Sequence, residues 1–418
     1  MRRMVLCAAT AVLALGALVA TPAPASALPA VKHVFVIVLE NKNYDSSFGA
    51  NSAAPYLAKD LVAKGQLLTQ YYGTGHLSLD NYIAMVSGQA PNIVTQSDCQ
   101  IFQDFLPSTG PDANGQFTGQ GCVYPAAVPT LMSQLAAKGL TWRGYMEDMA
   151  APCTHPVVNA QDTTQQASAQ SQYAVRHNPF AYFHSVIDDD VACRARVRPV
   201  NDLTADLATE PTTANFTFIT PDLCHDGHDA TCADPSQKGG LPGEDEFLQQ
   251  WVPAILASPA YQRDGLLVIA YDESESGAEA CCNELAGPNS PVPGGPDNGP
   301  GGGRTGAVVI SPFVQPGSVN NTPYNHYSLL RSIEDLFALD HLGFAAADGL
   351  VPFGNDVFNR SATPAPSPSS GVAAAGAGRG GALPPTGGGT AAAGAAAVVL
   401  AVWLLARRTR QRVSSPTP

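Results

Sequence analysis

The stretch VKHVFVIVLE, residues Val31 to Glu40, decides the fold. Its apolar and β-branched residues follow one another without the polar alternation of a half-exposed strand. They therefore predict a strand buried on both faces, as in a parallel sheet. The stretch ends in Glu40, which Asn41 follows. Polar side chains at the carboxyl end of such a strand lie where open α/β sheets bind ligands.

After this strand, strand-like and helical patterns alternate along the chain. Strands are predicted over residues 67–72, 140–147, 215–220, 265–271 and 307–314, and helices over 54–64, 128–138, 244–256 and 326–339. This alternation predicts an α/β fold, a three-layer α/β/α sandwich with a mostly parallel central sheet. Residues 148–214 lack a clear period and are predicted to form an insertion or lid.

Ser78 lies in the stretch GHLSLDNY, residues 75–82, directly before apolar residues at helical spacing. We expect it at, or just before, the start of a helix. Free backbone N–H groups and the helix dipole favour a phosphate at that position. A serine hydroxyl is a poor nucleophile until a base or a metal activates it, so the chain would also have to supply metal ligands.

Carboxylates and histidines follow the predicted buried strands. The candidate ligands of a divalent cation are Glu40, Asn41, Asp272, Glu273 and His326. A second group, Asp226, His228 and Asp229, could hold a second ion or act as acid and base. A cation at these strand ends would lower the pKa of the serine hydroxyl and stabilise charge on a phosphate.

The charge balance narrows the classes of partner. The formal net charge is −13, and the arginines at the two ends of the chain make the part between them more acidic still. This balance disfavours nucleic acid or an anionic membrane as a partner held by charge. Arg176 and His177 are adjacent basic residues within residues 148–214, and they could contact a substrate.

The cysteines predict disulfides. Eight remain after Cys7, which lies in an N-terminal segment predicted to be removed, and an even number is typical of an exported chain. Sequence order favours Cys99–Cys122, Cys153–Cys193 and Cys224–Cys232, while the adjacent Cys281 and Cys282 are expected to take separate partners. A zinc–thiolate site is disfavoured because no C-x₂-C pair occurs.

Both ends of the chain carry targeting patterns. Residues 1–27, with two arginines, an apolar run and Ala25-Ser26-Ala27, predict a secretory signal peptide. Residues 361–382 have the composition of a disordered linker of Pro, Gly, Ala and Ser. Residues 383–418 contain LPPTG, an apolar stretch and four arginines, an order that resembles a Gram-positive sortase signal. The resemblance implies sortase as a partner and attachment to the cell wall. The alternative is a tail anchor on the outer face of the membrane, with the C-terminal segment as the only membrane contact.

Five segments between residues 33 and about 340 resemble one family in order. They are VFVIVLENKNYD, SLDNY, FITPDLCHDGHD, VIAYDES and NHYSLLRSIEDLF. They are similar to the bacterial phosphoesterase family that joins secreted acid phosphatases and phospholipases C, within the alkaline-phosphatase-like superfamily. The resemblance implies an alkaline-phosphatase-like fold and a phosphoesterase domain over residues 28–360.

The resemblance also implies roles for the site residues, with Ser78 as the nucleophile and Asn81 as a phosphate-binding amide. The catalytic set is Ser78, Asn81, His228 and Asp229. The metal ligands, for one ion or two, are Glu40, Asn41, Asp272, Glu273, Asp226 and His326. The residues expected to contact substrate are His76, Arg176 and His177. The chain departs from the family at Leu77 and Asp80, where members often have proline.

These features favour an exported, metal-dependent phosphomonoesterase of acid phosphatase type at the cell surface. A phospholipase C-type phosphodiesterase acting on phospholipid head groups would use the same nucleophile and metal. A non-catalytic surface binding protein on the same fold is a further alternative. A metal-free serine hydrolase is disfavoured because Ser78 lies in no G-x-S-x-G turn.

Overall fold

The computed structural model describes residues 28–290, 294 and 299–361. The predicted signal peptide, the linker after residue 361 and the sorting signal lie outside these residues. The described residues belong to the first of two units, Met1–Ala365, and the second unit is Pro366–Pro418. No helix in the described part of the chain combines the length and the apolar character that a bilayer crossing requires.

Short strands and helices alternate through the described residues. The strands are β1 (His33–Leu39), β2 (Gln66–Leu68), β3 (Tyr71–Tyr72), β4 (Ile101–Phe102), β5 (Leu106–Thr109), β6 (Thr118–Gln120), β7 (Trp142–Met146), β8 (Ala160–Gln161), β9 (Val197–Pro199), β10 (Phe216–Thr220), β11 (Gly265–Tyr271), β12 (Ala307–Ile310), β13 (Ser318–Asn320) and β14 (Tyr324–Asn325). The α-helices are α1 (Tyr44–Phe48), α2 (Val62–Lys64), α3 (Ser78–Ser87), α4 (Leu131–Ala137), α5 (His184–Ile187), α6 (Asp190–Arg196), α7 (Leu203–Asp206), α8 (Gly240–Ala257), α9 (Pro259–Asp264) and α10 (His326–Phe337). A π-helical segment, Tyr56–Leu61, leads into α2.

The main sheet has eight strands in the order β13-β2-β12-β11-β1-β10-β7-β9. The strand predicted from the opening stretch, β1, lies between β10 and β11 and is parallel to both. Only β12 is antiparallel to its neighbours, β11 and β2. The predicted α/β fold with a mostly parallel sheet is confirmed.

Helices cover both faces of this sheet because side chains of a strand alternate between its faces. Val34, Val36 and Val38 of β1 pack in a core with residues of α3, α4 and α10. Phe35, Ile37 and Leu39 pack in a second core with residues of the π-helical segment, α8 and α9. Burying each such side chain contributes about 1.5–3 kcal/mol, so the uninterrupted apolar run holds three layers together.

Two segments differ from the prediction. The strand predicted over residues 67–72 is split, because β2 joins the main sheet whereas β3 pairs with β14. Residues 148–214 are not a separate insertion or lid. Strand β9 extends the main sheet beside β7, and Phe180 and Tyr182 are buried in the core. Short turns and helices build this segment, which explains why its sequence lacks a period.

The disulfides follow sequence order with one correction. Cys99–Cys122, Cys153–Cys193 and Cys224–Cys232 are bonded, as predicted. The expectation of separate partners for the last two cysteines is wrong, because Cys281 and Cys282 are bonded to each other. A turn with φ 64° at Cys282 accompanies this pairing of adjacent residues.

Candidate active site

The candidate site lies where β1 and β11 end side by side. Leu39 is in register with Tyr271, so Glu40 and Asp272 leave the sheet together. The Asp272 N–H donates a hydrogen bond to the Leu39 carbonyl at 2.9 Å, which continues the strand pairing by one step. The sheet itself therefore brings these two carboxylates to one place.

Ser78 is the first residue of α3, as the sequence predicts. Its Oγ donates a hydrogen bond to Glu40 Oε2 at 2.7 Å. The preceding Leu77 has φ 66°, a value that the ring of a proline cannot adopt. Leu77, at a position where family members often have proline, therefore adopts a turn before Ser78 that proline could not form.

Glu40 is fully buried, and protein groups bind both of its carboxylate oxygens. Oε2 accepts from Asn41 Nδ2 at 3.0 Å as well as from Ser78, and Oε1 accepts from the Tyr82 hydroxyl at 2.5 Å. Tyr82 was not predicted from the sequence. Its position one helical turn after Ser78, on the same face of α3, is the signal that could have revealed it.

Four buried carboxyl groups form what we call the serine cluster: Glu40, Asp226, Asp272 and Glu273. Burial raises the pKa of Glu40, and the nearby charge of Asp272 raises it further. Burial and the charge of Glu40 likewise raise the pKa of Asp226. Asp226 Oδ2 and Asp272 Oδ2 have no hydrogen-bond partner among the described residues. Buried carboxylates with free oxygens need a positive charge, and an oxygen-rich donor set suits a hard divalent cation.

His326, which the sequence predicts as a metal ligand, has both of its ring nitrogens hydrogen-bonded to protein groups. Its Nε2–H donates to the Asp272 carbonyl at 2.5 Å, and its Nδ1 accepts from the Tyr71 hydroxyl at 3.1 Å. Burial lowers the pKa of His326 to about 4, so the ring is neutral at neutral pH. Because both ring nitrogens are hydrogen-bonded to the protein, His326 supports the backbone of Asp272.

His76 and Asn81 are also occupied by protein groups. His76 Nδ1 binds Glu273 Oε2, and His76 Nε2 donates to the Gly277 carbonyl at 2.7 Å. The Asn81 amide accepts from the Thr74 N–H at 2.8 Å and donates to the carbonyl of Gly75 at 3.0 Å. In the structure Asn81 holds the turn before Ser78, and His76 holds the loop after Glu273. Phosphate binding by Asn81 and substrate contact by His76 stay predictions.

His177 is buried beside the serine cluster. Its Nε2 lies 3.5 Å from Glu40 Oε1, and its Nδ1 lies 3.8 Å from Asp226 Oδ2. Its ring stacks on Tyr82 with centroids 5.5 Å apart. Burial lowers the pKa of His177, and the charge of Arg176 lowers it further.

Arg176 is buried at the amino end of α3. Its Nε lies 3.7 Å from Asp98 Oδ2, and Asp98 Oδ1 accepts from the Leu79 N–H at 3.0 Å. The Asp98 carboxylate thus links the Arg176 guanidinium to the first turn of α3, which carries Ser78. Asp98 was not predicted, because nothing in its local sequence reveals that it contacts α3.

His228 and Asp229 lie at the surface, with side chains 43% and 57% exposed and 3.7 Å apart. The His228 N–H donates to Asp226 Oδ1 at 2.9 Å, which ties this loop to the serine cluster. Burial lowers the pKa of His228, although Asp229 opposes the shift. The structure places these two at the rim and not among the buried carboxylates.

A second charged group, the histidine cluster, lies at the ends of β7 and β10 and consists of Glu147, Asp222 and His225. His225 Nδ1 lies 3.0 Å from Glu147 Oε1 and 3.3 Å from Asp222 Oδ1. Burial opposes the charge of His225, but its hydrogen bonds with Asp222 and Glu147 raise its pKa to about 10. Cys224 lies within 4.8 Å of ligand atoms of Asp222 and His225, but its sulfur is in a disulfide. The cluster therefore carries its own positive charge.

Comparison with known proteins gives consistent matches. The model of the phosphoesterase family matches residues 50–340. The chain is 27% identical over 322 residues to a probable acid phosphatase of Kluyveromyces lactis, which covers 77% of this chain and 62% of that protein. It is 26% identical over 322 residues to a phosphatidylinositol-3-phosphatase of Mycobacterium tuberculosis, covering 77% and 82%. It is 24% identical over 317 residues to an acid phosphatase of Aspergillus fumigatus, covering 75% and 56%. The chain therefore spans less than two thirds of the length of the two fungal proteins.

Solved structures are similar at a lower level. A phosphonate monoester hydrolase from Silicibacter pomeroyi is 12% identical with a TM-score of 0.46, covering 79% of this chain and 77% of that one. A Vibrio parahaemolyticus protein of the alkaline phosphatase superfamily is 12% identical with a TM-score of 0.42, covering 78% and 72%. The fold assignment above rests on the sheet itself.

Proposed function

The chain belongs to the phosphoesterase family, and we propose that it hydrolyses phosphate monoesters with Ser78 as the nucleophile and a divalent cation as the cofactor. The observation that carries the proposal is the 2.7 Å contact of Ser78 Oγ with Glu40, inside a group of buried carboxylates with free oxygens. A hydroxyl in this environment has a place for positive charge beside it, and metal coordination is one of the conditions that activate a serine nucleophile.

The chain's own residues can orient and accept a phosphate. Ser78 begins a ten-residue helix, so backbone N–H groups and the helix dipole favour phosphate oxygens beside its Oγ. Arg176 adds a fixed positive charge near the same helix end. In the proposed step, Ser78 Oγ gives up its proton to solvent and forms the bond to phosphorus, while the bond to the leaving oxygen breaks. A water molecule then releases phosphate from Ser78.

We assign cation binding to Glu40, Asn41, Asp226, Asp272 and Glu273, and leave His326 out of this set. A divalent cation held there would stabilise the charge on the phosphate and lower the pKa of the Ser78 hydroxyl. The free oxygens of Asp226 and Asp272 support this assignment. At the rim, His228 is the candidate group for giving a proton to the leaving oxygen, with Asp229 beside it.

Monoester hydrolysis is favoured over the phospholipase C-type alternative by the names of the relatives, which are acid phosphatases and a phosphatidylinositol-3-phosphatase. The test compares p-nitrophenyl phosphate, phosphatidylinositol 3-phosphate and p-nitrophenyl phosphorylcholine as substrates of the purified protein. Faster release from the first two supports the proposal. Preference for the phosphorylcholine ester would favour a diesterase, and hydrolysis of none of them would favour a binding protein.

The nucleophile is tested by Ser78→Ala, with Ser87→Ala at the other end of α3 as the matched control. We expect Ser78→Ala to lose on the order of 10⁴-fold in kcat, with the thermal midpoint unchanged. Ser87→Ala should keep its activity, because the Ser87 hydroxyl donates to the Ile83 carbonyl and accepts from the Gln89 N–H, both at the far end of the helix from Ser78. Equal activity of the two variants would exclude Ser78.

We also propose that the protein is exported. The four disulfides of the described residues support this, since such bonds persist in oxidising compartments. Attachment by sortase to the cell wall stays a prediction from residues 383–418. Incubating the full chain with sortase and a peptide nucleophile, followed by mass spectrometry, tests it, since a cut between Thr386 and Gly387 is expected.

A further inference from the structure

One helix supplies a hydrogen-bond donor to each oxygen of Glu40. Ser78 Oγ donates to Oε2 at 2.7 Å, and the Tyr82 hydroxyl, one turn further along α3, donates to Oε1 at 2.5 Å. Because residues four apart lie on the same face of a helix, α3 fixes the orientation of the carboxylate from both sides.

The Tyr82 side chain has little freedom to move. It is fully buried, and its ring stacks on His177 at an interplanar angle of 9°. Its ring also meets Phe218 at 6.1 Å between centroids. His177 Nε2 lies 3.5 Å from the same oxygen, Glu40 Oε1. Oε1 is therefore held by Tyr82 and lies beside His177, whereas Oε2 accepts hydrogen bonds from Ser78 and Asn41, two residues of the proposed site.

We propose that Tyr82 is a positioning residue that makes Glu40 offer one oxygen, Oε2, to the divalent cation, and that it thereby favours a small cation over calcium. This inference rests on the proposed function. Calcium accepts carboxylates through both oxygens and tolerates irregular geometry, whereas smaller divalent ions require regular geometry with short bonds. A Glu40 free to turn would present both oxygens and lose that preference.

The experiment compares Tyr82→Phe with the matched control Tyr182→Phe. Tyr182 is also fully buried, but its hydroxyl has no hydrogen-bond partner in the described part of the chain.

The full-length protein is freed of metal and titrated calorimetrically with Mn²⁺ and, separately, with Ca²⁺. We expect Tyr82→Phe to bind Mn²⁺ about 10–100-fold more weakly, as is typical when a hydrogen-bond partner of a metal ligand is removed. Its affinity for Ca²⁺ should fall less, so the ratio of the two affinities changes. Tyr182→Phe should leave both values unchanged.

The thermal midpoint of each metal-free variant shows whether the fold is intact. If Tyr82→Phe does not fold, 3-fluorotyrosine at position 82 keeps the ring and the contact while changing the acidity of the hydroxyl. It should then change the Mn²⁺ to Ca²⁺ ratio.

An unchanged ratio in a folded variant overturns the inference, even where the wild-type protein binds Mn²⁺ and hydrolyses phosphate monoesters. A wild-type protein that binds neither ion and hydrolyses no ester overturns the proposed function, and the inference with it.

Discussion

The serine cluster and the histidine cluster lie at the same edge of the sheet and differ in what balances their carboxylates. In the histidine cluster, Glu147 and Asp222 share a histidine whose pKa is about 10, so the positive charge is built in. In the serine cluster, Asp226 and Asp272 each keep a buried oxygen with no partner among the described residues. A carboxylate at a strand end is therefore not by itself a ligand, and the missing counter-charge is what distinguishes the candidate cation site.

The largest effect should come from neutralising one carboxylate in each cluster. We expect Asp272→Asn to lower kcat/KM by about 10²–10³-fold and to abolish cation binding, since it removes charge from the unbalanced group. Asp222→Asn, the matched change, should leave kcat/KM within about threefold and lower only the thermal midpoint, because the histidine cluster is outside the chemistry. Steady-state kinetics with p-nitrophenyl phosphate measure both. Equal losses of activity would remove the distinction between the clusters.

His326 should have the next largest effect, acting through Asp272. His326→Phe removes both hydrogen bonds of the ring, and we expect about 10–100-fold weaker cation binding with a parallel loss of kcat/KM. Calorimetric titration with Mn²⁺ measures the change. His341→Gln is the control, because His341 pairs with the half-exposed Asp335. If His326→Phe binds Mn²⁺ normally, the serine cluster does not depend on this support.

Most of the fold can be predicted from the sequence, because β1, β10 and β11 are uninterrupted apolar strands whose burial follows from their composition. The proximity of Glu40 and Asp272 can also be predicted, because the carboxyl ends of parallel strands lie at one edge of a sheet. The hydrogen bonds that His76, Asn81 and His326 make with other protein groups could not be predicted from the sequence, because tertiary packing determines their partners. The disulfide between Cys281 and Cys282 was missed for a similar reason, as it depends on a local turn with positive φ.

The histidine cluster should make stability depend on pH. The His225 pKa is raised from about 6.5 in the unfolded chain to about 10 in the folded protein, so its stabilisation is fully present below pH 6.5. It is lost as the pH rises from about 6.5 to about 10. His225→Gln should lower the free energy of unfolding by about 2 kcal/mol at pH 6 and flatten the profile in that window. Urea unfolding between pH 6 and pH 10 measures this, and a variant as pH-dependent as the wild type would show that His225 is not the charged partner.

The smallest effect concerns Asp80, a buried carboxyl group without a hydrogen-bond partner in the described residues. Burial raises its pKa, and the charge of Glu273 raises it further. A raised acid pKa favours the folded state at low pH, and this advantage is lost as the pH rises above about 4. The free energy of unfolding of Asp80→Asn should therefore be about 1 kcal/mol higher than that of the wild type at pH 7, and the two should be equal below pH 4. Thermal melts at the two pH values measure it, and a less stable variant at pH 7 would mean that Asp80 is ionised and paired.

The most direct test of the account is the metal content of the purified wild-type protein, determined by elemental analysis before and after exhaustive chelation, together with its rate on p-nitrophenyl phosphate. We expect a divalent metal in amounts comparable to the protein, loss of metal and rate together, and recovery of both when the ion is returned. A protein that hydrolyses the ester at full rate after its metal has been removed would contradict it.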